Sequence, residues 1–222
     1  MAFVDIQRRE ITLKLVYYGP AMSGKTTNLQ QLHRKMMGYT EGDLVSLDTR
    51  DDRTLFFDLL PLQLSTRGGF SIKIKMFTVP GQVIHNTTRK IVLQGADGVA
   101  FIADSRVSET RANNEAFANL RQNLRDNDIA WDDIAVVIQL NKRDLPGIRS
   151  DEEVEKIKAK GREPVFTAIA IEGIGVAETF LGLAAATWDK LSARHELEAR
   201  FGLARGELLS ALHEAVPAGG DG

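Results

Sequence analysis

Gly19-Pro20-Ala21-Met22-Ser23-Gly24-Lys25-Thr26 decides the reading of this chain. It has the spacing G-x-x-x-x-G-K-[ST]. The run before it, Leu13-Lys14-Leu15-Val16-Tyr17-Tyr18, reads as a strand. The run after it, Thr27 to Met37, sets Leu29, Leu32 and Met36 on one helical face. A strand-to-helix turn of this kind gathers backbone N–H groups and a helix N-terminus into one concavity suited to a phosphate. Gly19, Ala21, Met22, Ser23, Gly24, Lys25, Thr26 and Thr27 would line it. Lys25 would reach the β- and γ-phosphates, and the Thr26 hydroxyl would hold Mg²⁺. The alternative is a glycine-rich turn with no ligand, and a second motif argues against it.

That motif is Asn141-Lys142-Arg143-Asp144. It follows the apolar run Ala135 to Leu140, at the carboxyl end of a buried strand. Ligands of open α/β sheets bind at that edge. Asp144 can accept from the N1–H and 2-amino group of guanine. Adenine lacks both donors and would leave the carboxylate unpaired in a closed site. Asn141 would tie this loop to the phosphate loop, and the Lys142 stem would lie along the base. Alone the four residues are a weak signal, equally a polar turn. After a phosphate loop, in this order, they point to GTP or GDP. An ATPase conflicts with Asp144.

The 222 residues are enough for one sizeable core, and 43% hydrophobic with 26% charged residues describes an ordinary globular protein. A net charge of −2 favours neither nucleic acid nor an anionic membrane. No cysteine is present, which excludes disulfides, thiolate metal sites, prenylation and palmitoylation. Met1-Ala2-Phe3-Val4-Asp5 is neither a signal peptide nor a myristoylation site. The expectation is a cytoplasmic protein, monomeric alone, without a direct membrane anchor and recruited to a cell pole only through partners.

Strand and helix patterns alternate along the chain, which predicts an α/β fold with a mostly parallel sheet covered on both faces. Val99 to Ala103 and Ala135 to Leu140 are largely continuous apolar runs typical of central strands, and Pro164 to Thr167 is a last short one. Phe70 to Phe77 alternates Ile72, Ile74 and Met76 with Lys73 and Lys75. It reads as a half-exposed strand, antiparallel and nearer the edge. Helices are expected over Glu109 to Asn127, Asp151 to Lys160 and Ala177 to Leu191. From His195 to Ala215 a helical apolar pattern is broken by Gly202 and Gly206. It is either a partner-binding helix or a terminal helix packed on its own domain. The expected division is a G domain over 1–192, a helical extension over 193–216 and a disordered tail over 217–222.

Two further segments carry the chemistry. In Asp51-Asp52-Arg53-Thr54-Leu55-Phe56-Phe57-Asp58, Thr54 can complete the Mg²⁺ shell and bind the γ-phosphate through its N–H. Arg53 can neutralise charge on the transferring phosphoryl group as an arginine finger of the same chain. A surface ion pair with Asp51 or Asp52 is the plain alternative. In Thr78-Val79-Pro80-Gly81-Gln82, Gly81 can bring its N–H to the γ-phosphate and Gln82 can orient the attacking water. Most GTPases carry Asp at the position of Thr78, where it supports Mg²⁺ through water. A neutral Thr supports it less, so a second carboxylate is needed. Asp58 is the candidate, against the reading of a solvated carboxylate on the following strand.

Together, Tyr17-Tyr18-Gly19-Pro20, Gly24-Lys25-Thr26-Thr27-Asn28-Leu29, Asp52-Arg53-Thr54-Leu55-Phe56-Phe57-Asp58, Thr78-Val79-Pro80-Gly81-Gln82-Val83 and Asn141-Lys142-Arg143-Asp144-Leu145-Pro146 resemble the bacterial mutual-gliding (MglA-type) small GTPases. The resemblance runs from about Val4 to Leu191. It implies a P-loop NTPase with a Ras-like G domain and an extra N-terminal strand, cycling between GTP and GDP and directing cell polarity and motility. It implies a homodimeric roadblock-type activating partner that brings Arg53 and Gln82 into play, together with an exchange factor and polarity or motility effectors.

The chain departs from that pattern in three places. Ala21-Met22-Ser23 stands where Gly-Leu-Cys is usual, and the Ala21 methyl is expected to slow hydrolysis. The base loop Thr167-Ala168-Ile169-Ala170-Ile171 lacks polar side chains, so the Ala170 N–H is expected to meet guanine O6. The segment from Ser192 onward passes the family's usual end. Ala21 and Thr78 also suit a protein that holds GTP or GDP without hydrolysing it. Gln82 and Arg53 argue against that alternative.

Overall fold

A computed structural model describes residues 3–5, 7–40, 43–47, 57–66, 68–81 and 85–216. Its strands are β1 (Phe3–Asp5), β2 (Glu10–Tyr18), β3 (Val45–Leu47), β4 (Phe57–Ser65), β5 (Ser71–Thr78), β6 (Gly98–Asp104), β7 (Ala135–Asn141) and β8 (Val165–Thr167). Its helices are α1 (Lys25–Lys35), α2 (Asn86–Leu93), α3 (Thr110–Arg125), α4 (Asp151–Lys160), α5 (Val176–His195), α6 (Leu197–Phe201) and α7 (Arg205–Ala215).

The strands form one sheet in the order β3-β4-β5-β2-β6-β7-β8. From β5 to β8 every neighbour is parallel, and β3 and β4 form an antiparallel edge. The fold is the expected α/β type, with one correction. The run 70–77 is not the antiparallel strand. As β5 it lies inside the sheet, parallel to β2, and the direction reverses one strand further out, at β4. Alternation of apolar and basic residues reports a half-exposed face and says nothing about strand direction. β1 pairs antiparallel with Glu10 to Thr12 of β2, along the stretch that β6 leaves uncovered, since β6 pairs only with Leu15 to Tyr18.

Alternation along β2 builds two cores. Ile11, Leu13, Leu15 and Tyr17 face α1 and α5 with Leu29, Leu32, Phe180 and Trp188. Val16 and Tyr18 face α2 and α3 with Leu93, Leu120 and Leu124. Burying both faces is what lets β6 and β7 be almost wholly apolar. The first core continues into the C-terminal helices. Leu197, Leu203, Leu208 and Leu212 are buried with Leu60, Leu62 and Leu64 of β4. Of the two readings of this segment, the structure has the helices packed on their own domain. Gly202 ends α6 in a left-handed conformation (φ 67°) and lets the chain turn into α7. Residues 217–222 lie outside the described residues.

Because β2, β6, β7 and β8 are parallel, their carboxyl ends deliver four loops to one edge. These are residues 19–24, 105–109, 142–150 and 168–175. The chain crosses from one side of β2 to the other between β5 and β6, so a crevice opens beyond β2.

Candidate functional site

The phosphate loop is shaped by its glycines. Gly19 (φ 148°) lies on Ile102, and a Cβ there would overlap the Ile102 carbonyl oxygen. Gly24 (φ 98°) lies on Asn141, and a Cβ there would overlap Nδ2 of that side chain. Both positions need glycine for conformation and for space. Met22 adopts φ 58° and projects outward, 87% exposed. No side chain caps the N-terminus of α1, so its first N–H groups face the loop concavity. Ser23 is buried, and its Oγ has no hydrogen-bond partner among the described residues. The cradle, the helix end and that hydroxyl fit a phosphate.

Lys25 is 7% exposed, and its Nζ donates to the carbonyl oxygens of Gly19 (3.1 Å) and Pro20 (2.6 Å). Burial pulls its pKa down to about 7. The Arg89 charge pulls the same way and the Asp58 charge opposes it. A phosphate would meet a lysine already aligned along the loop.

Beside it, Thr26 Oγ1 donates to Asp58 Oδ2 at 2.6 Å. Thr78 Oγ1 donates to the same oxygen at 2.9 Å and accepts from the Asp58 backbone N–H at 2.8 Å. Asp58 and Thr78 are 7% and 3% exposed. Thus β4 supplies a carboxylate, α1 and β5 supply hydroxyls, and all three converge. Hard oxygen donors of this kind suit Mg²⁺. Among the described residues no group of three His, Cys, Asp or Glu is placed to hold a metal.

The base end is organised by Asn141, 2% exposed. Its Nδ2 donates to Ser23 O at 2.8 Å, and its Oδ1 accepts from the Ala170 N–H at 2.9 Å. One side chain therefore joins the loops after β2, β7 and β8. The Ala170 N–H, expected at guanine O6, is engaged by Asn141, and a base carbonyl would have to share it. Lys142 takes φ 65°, and its Nζ pairs with Asp104 at 2.8 Å. Asp144 is exposed at the mouth of the loop.

Asp104 and Arg106 had not been singled out from the sequence. The Arg106 guanidinium donates to both Asp104 oxygens, at 3.0 and 2.7 Å. Burial pushes the Asp104 carboxyl up, but hydrogen bonds from Arg106 and Lys142 and the Lys142 charge outweigh it and hold the pKa at about 2. A carboxylate so firmly ionised fixes the Lys142 stem. The available signal was Asp104-Ser105-Arg106, a charged pair ending an apolar strand. Gly81 lies against Ala21, where a Cβ on Gly81 would come 2.6 Å from Ala21 N. Arg53, Thr54 and Gln82 lie outside the described residues.

A phosphate loop, an Asn-Lys-x-Asp turn and this strand order define a Ras-like G domain. No protein-family profile matches the chain. It is similar to the mutual gliding-motility protein MglA of Myxococcus xanthus (strain DK1622). The two are 46% identical over 184 residues, which is 83% of this chain and 94% of that protein. The chain belongs to the MglA-type family of Ras-like small GTPases.

Proposed function

We propose that this protein is a slow molecular switch that binds GTP or GDP with Mg²⁺ and hydrolyses GTP. The observation that carries the reading is the Asn141 bridge, which ties the loop read as a phosphate cradle to the turn read as guanine-selective. Gly19, Ala21 to Thr27 and Gly81 would line the phosphates, while Asn141, Lys142, Asp144 and Ala170 would hold the base. Thr26, Thr54 and Asp58 would hold Mg²⁺, which neutralises charge on the phosphates when bound.

Gln82 would orient a water for in-line attack. Its oxygen bonds to the γ-phosphorus as the bond to the bridging oxygen breaks, giving GDP and phosphate. Lys25 and Arg53 would stabilise the charge that moves onto the leaving oxygen. Unassisted turnover is expected on the order of 10⁻⁴–10⁻³ s⁻¹. A homodimeric roadblock-type partner would position Arg53 and Gln82. An exchange factor would release GDP, and motility or polarity effectors would read the nucleotide state, with recruitment to a cell pole through such partners.

A second reading, a guanine-nucleotide-bound scaffold without hydrolysis, draws support from the packing of Gly81 on Ala21. Single-turnover GTP hydrolysis, with and without a roadblock-type partner, separates the two. Acceleration of wild type but not of Arg53→Ala supports the switch. GTP retained intact in both conditions supports the scaffold. Displacement of labelled GDP by ATP would overturn both.

A further inference from the structure

Arg89 is the largest charged side chain in the interior, 1% exposed, and neither motif accounts for it. It projects from α2 toward the segment that follows β5. Its Nε donates to Pro80 O at 2.8 Å, and one terminal nitrogen donates to Gly81 O. The other donates to Asn119 Oδ1 of α3 at 2.9 Å. The guanidinium also lies over the Tyr18 ring, 5.5 Å from its centre. Its hydrogen-bond acceptors among the described residues are all neutral oxygens.

The far end of this arginine is anchored in fixed structure. Asn119 Oδ1 also accepts from Tyr18 OH, at the end of the central strand. Asn119 Nδ2 donates to Asn86 Oδ1 at 2.9 Å. Asn123 Nδ2 donates to both Tyr18 OH (3.1 Å) and Asn86 Oδ1 (2.9 Å). Asn119 and Tyr18 thus hold the guanidinium, Asn86 and Asn123 brace those two, and the guanidinium holds the Pro80 and Gly81 carbonyls. The Gly81 backbone so held touches Ala21. On the guanine-nucleotide reading above, a terminal phosphate would sit between these two residues, with Ala21 on the loop side and the Gly81 N–H opposite.

We propose that Arg89 is a positioning residue that sets the preference between nucleoside diphosphate and triphosphate, by clamping Pro80–Gly81 against Ala21 in a form compatible only with the diphosphate. Seating a triphosphate draws Gly81 away from Ala21. Because Arg89 is tied to β2 and α3, that movement breaks at least one of its bonds to the Pro80 and Gly81 carbonyls. The diphosphate leaves both bonds in place. The clamp therefore acts on the difference between the two ligands. The proposal rests on the guanine-nucleotide reading above.

The test uses the full chain, with fluorescent methylanthraniloyl derivatives of GDP and of the non-hydrolysable analogue GppNHp. Dissociation constants are measured for wild type, Arg89→Lys and Asn119→Ala. Arg89→Lys keeps the charge and loses the fork. Asn119→Ala releases the anchor without touching either loop. The ratio of GppNHp to GDP affinity is expected to rise by about tenfold in Arg89→Lys, the worth of one charge-assisted hydrogen bond, and by at least threefold in Asn119→Ala. GDP affinity is expected to stay within about threefold. An unchanged ratio in both variants, or equal loss of both affinities, overturns the proposal and leaves Arg89 a packing residue. If Arg89→Lys does not fold, Asn119→Ala alone decides. Wild type that binds neither probe overturns the nucleotide reading and this inference together, whereas a failure confined to the ratio overturns only the inference.

Discussion

Gly24→Ala and Asn141→Ala should not behave as independent mutations. Gly24 holds φ 98°, which costs an alanine about 1–3 kcal/mol in backbone strain. Its new Cβ would also overlap Asn141 Nδ2, so the amide must leave. Leaving breaks the bonds to Ser23 O and from the Ala170 N–H, both on buried residues. Stranding buried backbone groups costs about 1–3 kcal/mol each. Gly24→Ala is therefore expected to cost about 3–9 kcal/mol in all, and Asn141→Ala about 2–6 kcal/mol. In the double variant the same two bonds are lost once, and no amide remains to clash. The double variant should be about 2–6 kcal/mol more stable than the sum of the single costs implies. Urea unfolding of the four proteins measures this directly, provided the slopes agree. Additivity within about 0.5 kcal/mol would refute the overlap of Gly24 and Asn141 as the source of the cost.

Thr78→Val keeps the shape but removes the donor to the Asp58 carboxylate and the acceptor of its N–H. The Mg²⁺ concentration needed to slow release of labelled GDP should rise about tenfold, and an unchanged midpoint would count against Asp58 as the cation's support. Ala21→Gly removes the methyl that faces Gly81, so single-turnover GTP hydrolysis should quicken by about tenfold. If the substitution leaves both the basal and the partner-stimulated rates unchanged, the methyl is not the cause. Asp104 is held at about 2 against an ordinary 3.8, so its stabilising contribution is present above the ordinary value and lost as pH falls toward the lower one. Wild type should lose about 1 kcal/mol from this source between pH 6 and pH 3, and Asp104→Asn should lack that part of the acid sensitivity. Parallel pH profiles for the two proteins would show that Asp104 is not so held.

Much of the fold was legible because its signals are local. Val99 to Ala103 is apolar throughout and Ala135 to Leu140 is so but for Gln139, since both faces of β6 and β7 are covered. α4 begins at Asp151 because Ser150 and Glu153 form a capping box there, and the expected bounds match. Other elements escaped notice. α2 is only eight residues, too short for an apolar period to show. β3 is three residues long and depends on β4 for its pairing. The direction of β5 could not be read, because its partners β2 and β4 lie elsewhere in the chain.

The site divides the same way. By itself the sequence determined the phosphate loop, the Asn-Lys-x-Asp turn and the family. Glycines that must take positive φ, a lysine and a threonine after them, and a terminal carboxylate are recognised by type and spacing along one strand of chain. Only the tertiary structure decided that Asp58 shares one oxygen between Thr26 and Thr78, that Asp104 fixes Lys142, and that Arg89 grips Pro80 and Gly81. The physical reason is that hydrogen bonds and ion pairs act over about 3 Å in space and carry no trace of sequence separation. Until β2 and β6 lie side by side and α2 packs on α3, an aspartate ending an apolar strand and an arginine in a short helix look like solvated surface. Burial turns them into parts of the site.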